Sequence, residues 1–237
     1  MIFFQNRELV IPGQKLAEGK YTVKEGAYRE GDEIFAMVVG LAEVEGNSIR
    51  VIPLEGRYIP KEGDLVIGVI MDVHSWGWLV DINSPYTGNL LVSDYLQRKV
   101  DLVREDPHRH LTIGDVAALR VKKVDERKYV LLEGGRTGLG KLQGGRMVEV
   151  SPVKIPRVRG KRGSMLKVLQ DVGGCRLMVG QNGRVVIWAK SPERTARIVE
   201  ALRRIERESH IPGLTDRIRL MLEEGRIGDE QAGKADS

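Results

Sequence analysis

The chain has 237 residues, 41% of them hydrophobic and 5% aromatic, with a formal net charge of +5. That length and apolar content suit two or three compact modules and exclude wholesale disorder. The only cysteine, Cys175, has no partner for an internal disulfide or a thiolate metal site, and no apolar run reaches the length of a membrane span.

Residues 1–60 are expected to form a small β-module. Glu8-Leu9-Val10-Ile11 ends at the turn dipeptide Pro12-Gly13. Ile34 to Val39 and Ser48 to Ile52 read as strands joined by a hairpin at Glu45-Gly46-Asn47. Residues 61–133 follow as a second β-module. Leu65 to Val73, Trp76 to Ile82, Gly88 to Val92, Val116 to Val124 and Tyr129 to Leu132 are five short strands, the number an OB-type barrel requires. Residues 134–146 are glycine-rich with interspersed basic residues, which predicts a flexible linker.

From Met147 the pattern becomes α+β. Met147 to Val150 predicts a strand, and Ile155 to Arg159 a short helix with Pro156 in its first turn. After Gly160-Lys161-Arg162-Gly163, Ser164 is the expected N-cap of a helix through Val172 with an apolar stripe of Met165, Leu166, Leu169 and Val172. Cys175 to Val179 and Val185 to Ala189 predict a hairpin around Gly180-Gln181-Asn182-Gly183. Ser191 and Pro192 then open a long helix with Ile198, Val199, Leu202 and Ile205 on one face. The expected fold is mainly β with an α+β C-terminal domain over 147–212, and a frayed tail over 213–237.

Two motifs carry chemistry. The glycines at 160 and 163 let the backbone turn sharply and approach a sugar-phosphate chain. Lys161, Arg162 and the preceding Arg159 supply cations there, and the helix start adds free N–H groups. In the barrel segment, Trp76 is a candidate base-stacking platform. Trp78 fits a core position as well as an exposed one. Arg98, Lys99, Arg104, Arg109, Arg120 and Lys122 are candidates for backbone electrostatics. His108, His110 and Asp106 read as a solvated loop, not a metal site. The arginines and glutamates of the last helix read as a salt-bridged face. No converging nucleophile, acid–base pair or metal cluster is found, so neither a catalytic residue nor a cofactor is assigned.

The β-α-α-β-β-α order around Gly160-Lys161-Arg162-Gly163 resembles a type I KH domain, whose G-x-x-G loop clamps the backbone of about four nucleotides. Residues 61–133 resemble an S1 domain. Its second stacking aromatic and its usual histidine fall at Leu79 and Leu91 here, which shifts weight to the basic residues. The turn Gly180-Gln181-Asn182-Gly183 resembles one recurrent in exosome cap subunits and reads as structural. With Ile11-Pro12-Gly13 and Arg50 to Tyr58 ahead of the S1 segment, the whole chain resembles the archaeal exosome cap subunit of the S1/KH type.

That resemblance implies a non-catalytic, cytoplasmic RNA-binding subunit that captures single-stranded, A-rich RNA. It would sit, with copies of itself or another cap subunit as a trimer, on a hexameric ring of RNase PH-like proteins that degrades RNA by phosphorolysis. The N-terminal module would attach to the ring. Bacterial-type polynucleotide phosphorylase carries the same two modules, but in reverse order and after catalytic domains absent here. The alternative is a translation-associated single-stranded RNA-binding protein.

Overall fold

The computed structural model describes residues 1–101, 104–209, 211 and 213–235, with residues from 225 onward described by backbone alone. Two separate units result, Met1–Gly56 and a second from Arg57 onward.

The first unit has seven strands: β1 (Glu8–Val10), β2 (Lys15–Glu18), β3 (Thr22–Val23), β4 (Ala27–Glu30), β5 (Glu33–Ala36), β6 (Gly40–Glu45) and β7 (Ser48–Pro53). They form two sheets, β1-β6-β7-β3 and β2-β5-β4. Alternation puts Ile49 and Val51 of β7 inward, where they join Val10, Leu16, Ile34 and Ala42. The hairpin at Gly46-Asn47 exists, but it joins β6 to β7, while Ile34 lies in the other sheet. This corrects the expected partner. Gly40 and Ala42 hide β6 from a search for large apolar residues. Gly40 is needed because a Cβ there would lie 2.3 Å from the Ile52 carbonyl oxygen.

The second unit opens with a closed barrel. Its strands are β8 (Leu65–His74), β9 (Gly77–Asp81), β10 (Gly88–Leu91), β11 (Val116–Val124) and β12 (Val130–Glu133), with α1 (Val92–Leu96) after β10. Hydrogen bonding runs β12-β10-β9-β8-β11, and β11 pairs with β12 to complete the circle, which leaves no free edge. Trp78, Val80, Leu90, Leu119 and Leu132 fill it. Gly68 makes room for Val80, whose Cγ1 would be 2.2 Å from a Cβ at that position.

The glycine-rich stretch is not a loose linker. β13 (Gly140–Lys141) pairs with β11, Leu142 N–H donates to the Val116 carbonyl at 2.8 Å, and Lys141 meets Asp115 at 2.7 Å. Pairing with Ala117 and Ala118 of β11 overrides the entropy that glycine composition suggests.

The C-terminal part has β14 (Arg146–Glu149), α2 (Ile155–Arg159), α3 (Ser164–Asp171), β15 (Cys175–Val179), β16 (Arg184–Ala189), α4 (Pro192–Arg207) and α5 (Leu214–Ala235). The sheet order is β14-β16-β15. Its core combines Val158, Met165, Leu169, Ile187, Leu202 and Ile205 with Leu214, Ile218 and Leu222 of α5. The expected frayed tail is therefore replaced by a helix. Leu214, Ile218 and Leu222 recur at four-residue spacing, and that stripe packs on α3 and α4. Ser191 caps α4 as expected, accepting from Arg194 N–H at 3.3 Å. Glu208 near its end joins Arg204 and Arg217 in ion pairs. Ser164 does not cap α3; it is the first helical residue, and Gly163 is the N-cap. Among the described residues no helix is long and apolar enough to cross a membrane.

Candidate nucleic-acid interface

The loop from Gly160 to Gly163 takes a shape only glycine allows at its first position. Gly160 has φ 73°, and a Cβ there would lie 2.6 Å from the Met165 backbone nitrogen. Arg162 has φ 54° and Gly163 φ 80°, so the chain doubles back tightly before α3. No side chain caps α3; the Gly163 and Ser164 N–H groups at its start turn back to the Gly160 and Lys161 carbonyls of the loop itself. Lys161 and Arg162 are exposed and have no ion-pair partner among the described residues. Arg159 is different. Its guanidinium donates to the Val179 carbonyl at 3.0 Å and to Gln181 Oε1 at 2.9 Å. It is half-buried and ties α2 to the β15–β16 hairpin, away from the role of a loop cation.

In the barrel, Gly77 sits between two tryptophans. A Cβ on it would lie 2.1 Å from the Leu90 carbonyl oxygen, so glycine lets β9 meet β10 there. Trp78 points inward, fully buried, and its Nε1–H donates to the Leu111 carbonyl at 3.0 Å. Trp76 lies half-exposed with the His74 imidazole stacked on it, ring centres 5.0 Å apart and planes 16° from parallel. His74 was not among the residues expected here; its two-residue offset from Trp76 was the available signal.

Near that pair, Val73, His74 and Ser75 share a groove of about 370 Å³ with Glu105 to His108. Asp106 caps the short 3-10 turn Pro107–Arg109 by accepting from His108 N–H. Glu105 binds His110 at 2.9 Å and Arg98 at 2.6 Å, and these two partners, His110 first, hold its carboxyl below the usual range. Among the described residues no group of three His, Cys, Asp or Glu side chains is placed to hold a metal ion.

The six basic candidates divide. Lys99 and Arg109 are exposed without an ion-pair partner among the described residues, and Arg104 is largely exposed beside Asp101 at 3.6 Å. Arg98 is paired with Glu105 and Lys122 with Asp94 at 2.6 Å, while Arg120 donates to the Gly63 carbonyl at 3.0 Å. Only the 98–109 candidates lie on the segment that borders the Trp76 turn.

The turn at 180–183 joins the barrel to the C-terminal sheet. Asn182 is fully buried; its Nδ2 donates to the carbonyls of Ile67 at 2.8 Å and Ile82 at 2.9 Å, and its Oδ1 accepts from Ile67 N–H at 3.2 Å. Gln181 N–H reaches the Leu65 carbonyl, and Asn83 Nδ2 reaches back to the Asn182 carbonyl, both hydrogen bonds within 2.9 Å. Gly180 and Gly183 leave the space this needs, since a Cβ on either would lie 2.3 Å from Asn182 Oδ1 or the Val150 carbonyl. Arg184, also buried, adds a salt bridge to Asp81 and one to Glu149 at 3.1 Å. Burial by itself would raise the Asp81 pKa, but Arg184 and the Asn83 N–H outweigh it and hold the carboxyl low. Cys175 lies half-buried with its thiol pushed up to about 11 by burial.

Comparison with known proteins gives concordant matches. The family model for the N-terminal domain of the exosome RNA binding protein RRP4 matches residues 7–55, and that for the RRP4 S1 domain matches residues 57–106. The exosome complex component Rrp4 of Pyrococcus furiosus is 46% identical over 223 residues, covering 93% of this chain and 84% of that protein. Its counterpart from Methanopyrus kandleri is 42% identical, covering 93% and 95% respectively. A crystal structure provisionally described as an exosome complex RNA-binding protein superimposes with a TM-score of 0.67 at 38% identity. That match spans 72% of this chain and 98% of the other.

Proposed function

The chain belongs to the exosome Rrp4 family, and from that premise we propose that it is a non-catalytic subunit that holds single-stranded RNA and feeds its 3′ end to a degrading partner. The observation that carries the RNA-binding part is the 160–163 loop. Two exposed cations without an ion-pair partner among the described residues are held at the start of α3 by a tight turn that requires glycine at position 160. Such a site suits a phosphodiester and reads no sequence by itself. Residues 147–212 act as a type I KH domain on this reading, and the half-exposed Trp76 adds a stacking surface on the S1 barrel.

The finer assignments follow from the family. The partner is a hexameric ring of RNase PH-like subunits that degrades RNA by phosphorolysis, in the cytoplasm. Three copies of the chain, alone or mixed with another cap subunit, stand on it and favour A-rich RNA. The first unit attaches to the ring, since its exposed Leu9, Ile11, Met37 and Val39 offer apolar surface suited to a protein partner.

Reconstitution tests this. The full chain mixed with the ring is expected to co-purify with it and to raise its decay of A-rich RNA, while residues 57–237 alone bind RNA but not the ring. Phosphate-dependent decay by the ring-free chain, or ring binding undiminished without residues 1–56, is the result that overturns it.

A further inference from the structure

Trp188 belongs to neither site described above. Alternation along β15 and β16 buries Leu177, Val179 and Ile187 under the helices and puts Arg176, Met178 and Trp188 on the opposite sheet face. Arg176 and Trp188 are direct cross-strand partners, and the Arg176 guanidinium lies 4.2 Å over the indole. The indole Nε1–H donates to the Gln143 carbonyl at 2.9 Å, which fixes the ring plane against the 138–143 segment.

Two open grooves meet at this ring. One, of about 520 Å³, has Lys141 and Arg176 in its walls; the other, of about 390 Å³, has Arg146 and Lys190. Among the described residues neither wall contains a carboxylate, although Lys141 is itself paired with Asp115 at 2.7 Å. Cations alone would suit any anionic partner. A fixed, half-exposed indole between them adds a flat π-surface, and the combination of stacking ring and basic groove is the chemistry that holds single-stranded nucleic acid.

We propose that this face is a second contact surface for single-stranded RNA. A base stacks on Trp188, and Arg176, Arg146 and Lys190 neutralise the flanking phosphates. The proposal rests on the RNA-binding reading and extends the path of the strand to the sheet face opposite the helices.

The test uses the full chain, a 20-nucleotide oligoadenylate and three variants. Trp188→Leu is expected to weaken binding about five-fold or more, the loss of one stacked base. Trp188→Phe keeps a ring and is expected to stay within about two-fold of the parent, and Arg176→Glu is expected to weaken binding. Ultraviolet crosslinking is expected to leave a nucleotide adduct on the tryptic peptide of residues 185–190. The proposal fails if the Leu and Phe variants both bind like the parent. It also fails if both lose affinity equally, which would mark a role for the N–H bond to Gln143 instead. Binding that responds to Lys161→Asp and Arg162→Asp but to no Trp188 variant removes this surface and spares the functional reading. A parent chain that binds no oligoadenylate removes both.

Discussion

At the residue scale, the two tryptophans flanking Gly77 have opposite environments, and this separates two kinds of RNA contact. Trp78 has committed its N–H to Leu111 inside the barrel, whereas Trp76 keeps ring surface open beside His74. Trp76→Ala is expected to cost roughly 1–3 kcal/mol of RNA binding with an unchanged salt slope, because no cation is removed. Lys161→Asp with Arg162→Asp is expected to weaken binding to every single-stranded RNA and to flatten the dependence of log K on log salt by about one unit or more. Titrations of both variants against A-rich and mixed RNA over a range of salt separate the cases. Parent-like binding by Trp76→Ala would mark its ring as an idle surface. The type of these residues was legible in the sequence, because glycine spacing and a tryptophan before a strand are local signals. Their direction was not. Arg159 adjoins the loop in sequence but turns toward Val179, since a long side chain on the last turn of α2 can reach the hairpin as readily as solvent.

At the element scale, the 180–183 turn does more than reverse the chain. Its sequence announces a hairpin, and β15 and β16 form as expected, but nothing local reveals that Asn182 inserts between Ile67 and Ile82, more than ninety residues away. Asn182→Ala removes the partner of the Ile67 N–H and the Ile82 carbonyl, leaves the Ile67 carbonyl only Arg184 at 3.4 Å, and is expected to cost roughly 3 kcal/mol. Denaturant unfolding measures the loss, and amide exchange at Ile67 locates it; parent-like exchange there would show that the contact is dispensable. The Asp81–Arg184 bridge gives the same junction a pH dependence. The Asp81 carboxyl is held below its ordinary value, so its contribution is complete above about pH 4 and is lost as pH falls toward the depressed value. Melting curves from pH 7 to 3 are expected to fall more steeply for the parent than for Asp81→Asn. Parallel curves would assign the acid sensitivity elsewhere. Among the elements that escaped sequence reading, β2, β3, β4 and α1 are too short to show a period. β6 and β13 each begin with glycine and α5 contains glycines, so their composition argues for loops. Pairing and packing with distant strands and helices override it.

At the scale of the whole molecule, the order of modules was readable because each carries its own periodicity, alternating in the barrel and helical after Ile155. What joins the modules was not readable, because it consists of backbone and amide contacts rather than a pattern. The segment from 134 to 145 is anchored to β11 and reaches Trp188 through Gln143, and the 180–183 turn fastens the C-terminal sheet to β8 independently of it. The peptide chain between barrel and sheet is thus one of several attachments. Cutting it at the exposed Gly144-Gly145 is expected to leave the fragments on either side eluting together as a single species. Separate elution would show that covalent continuity is what keeps them in place. Since the parts hold each other without the tether, the protein is a natural candidate for splitting. Its two fragments, produced apart, become a reporter that lights only when barrel and sheet find one another.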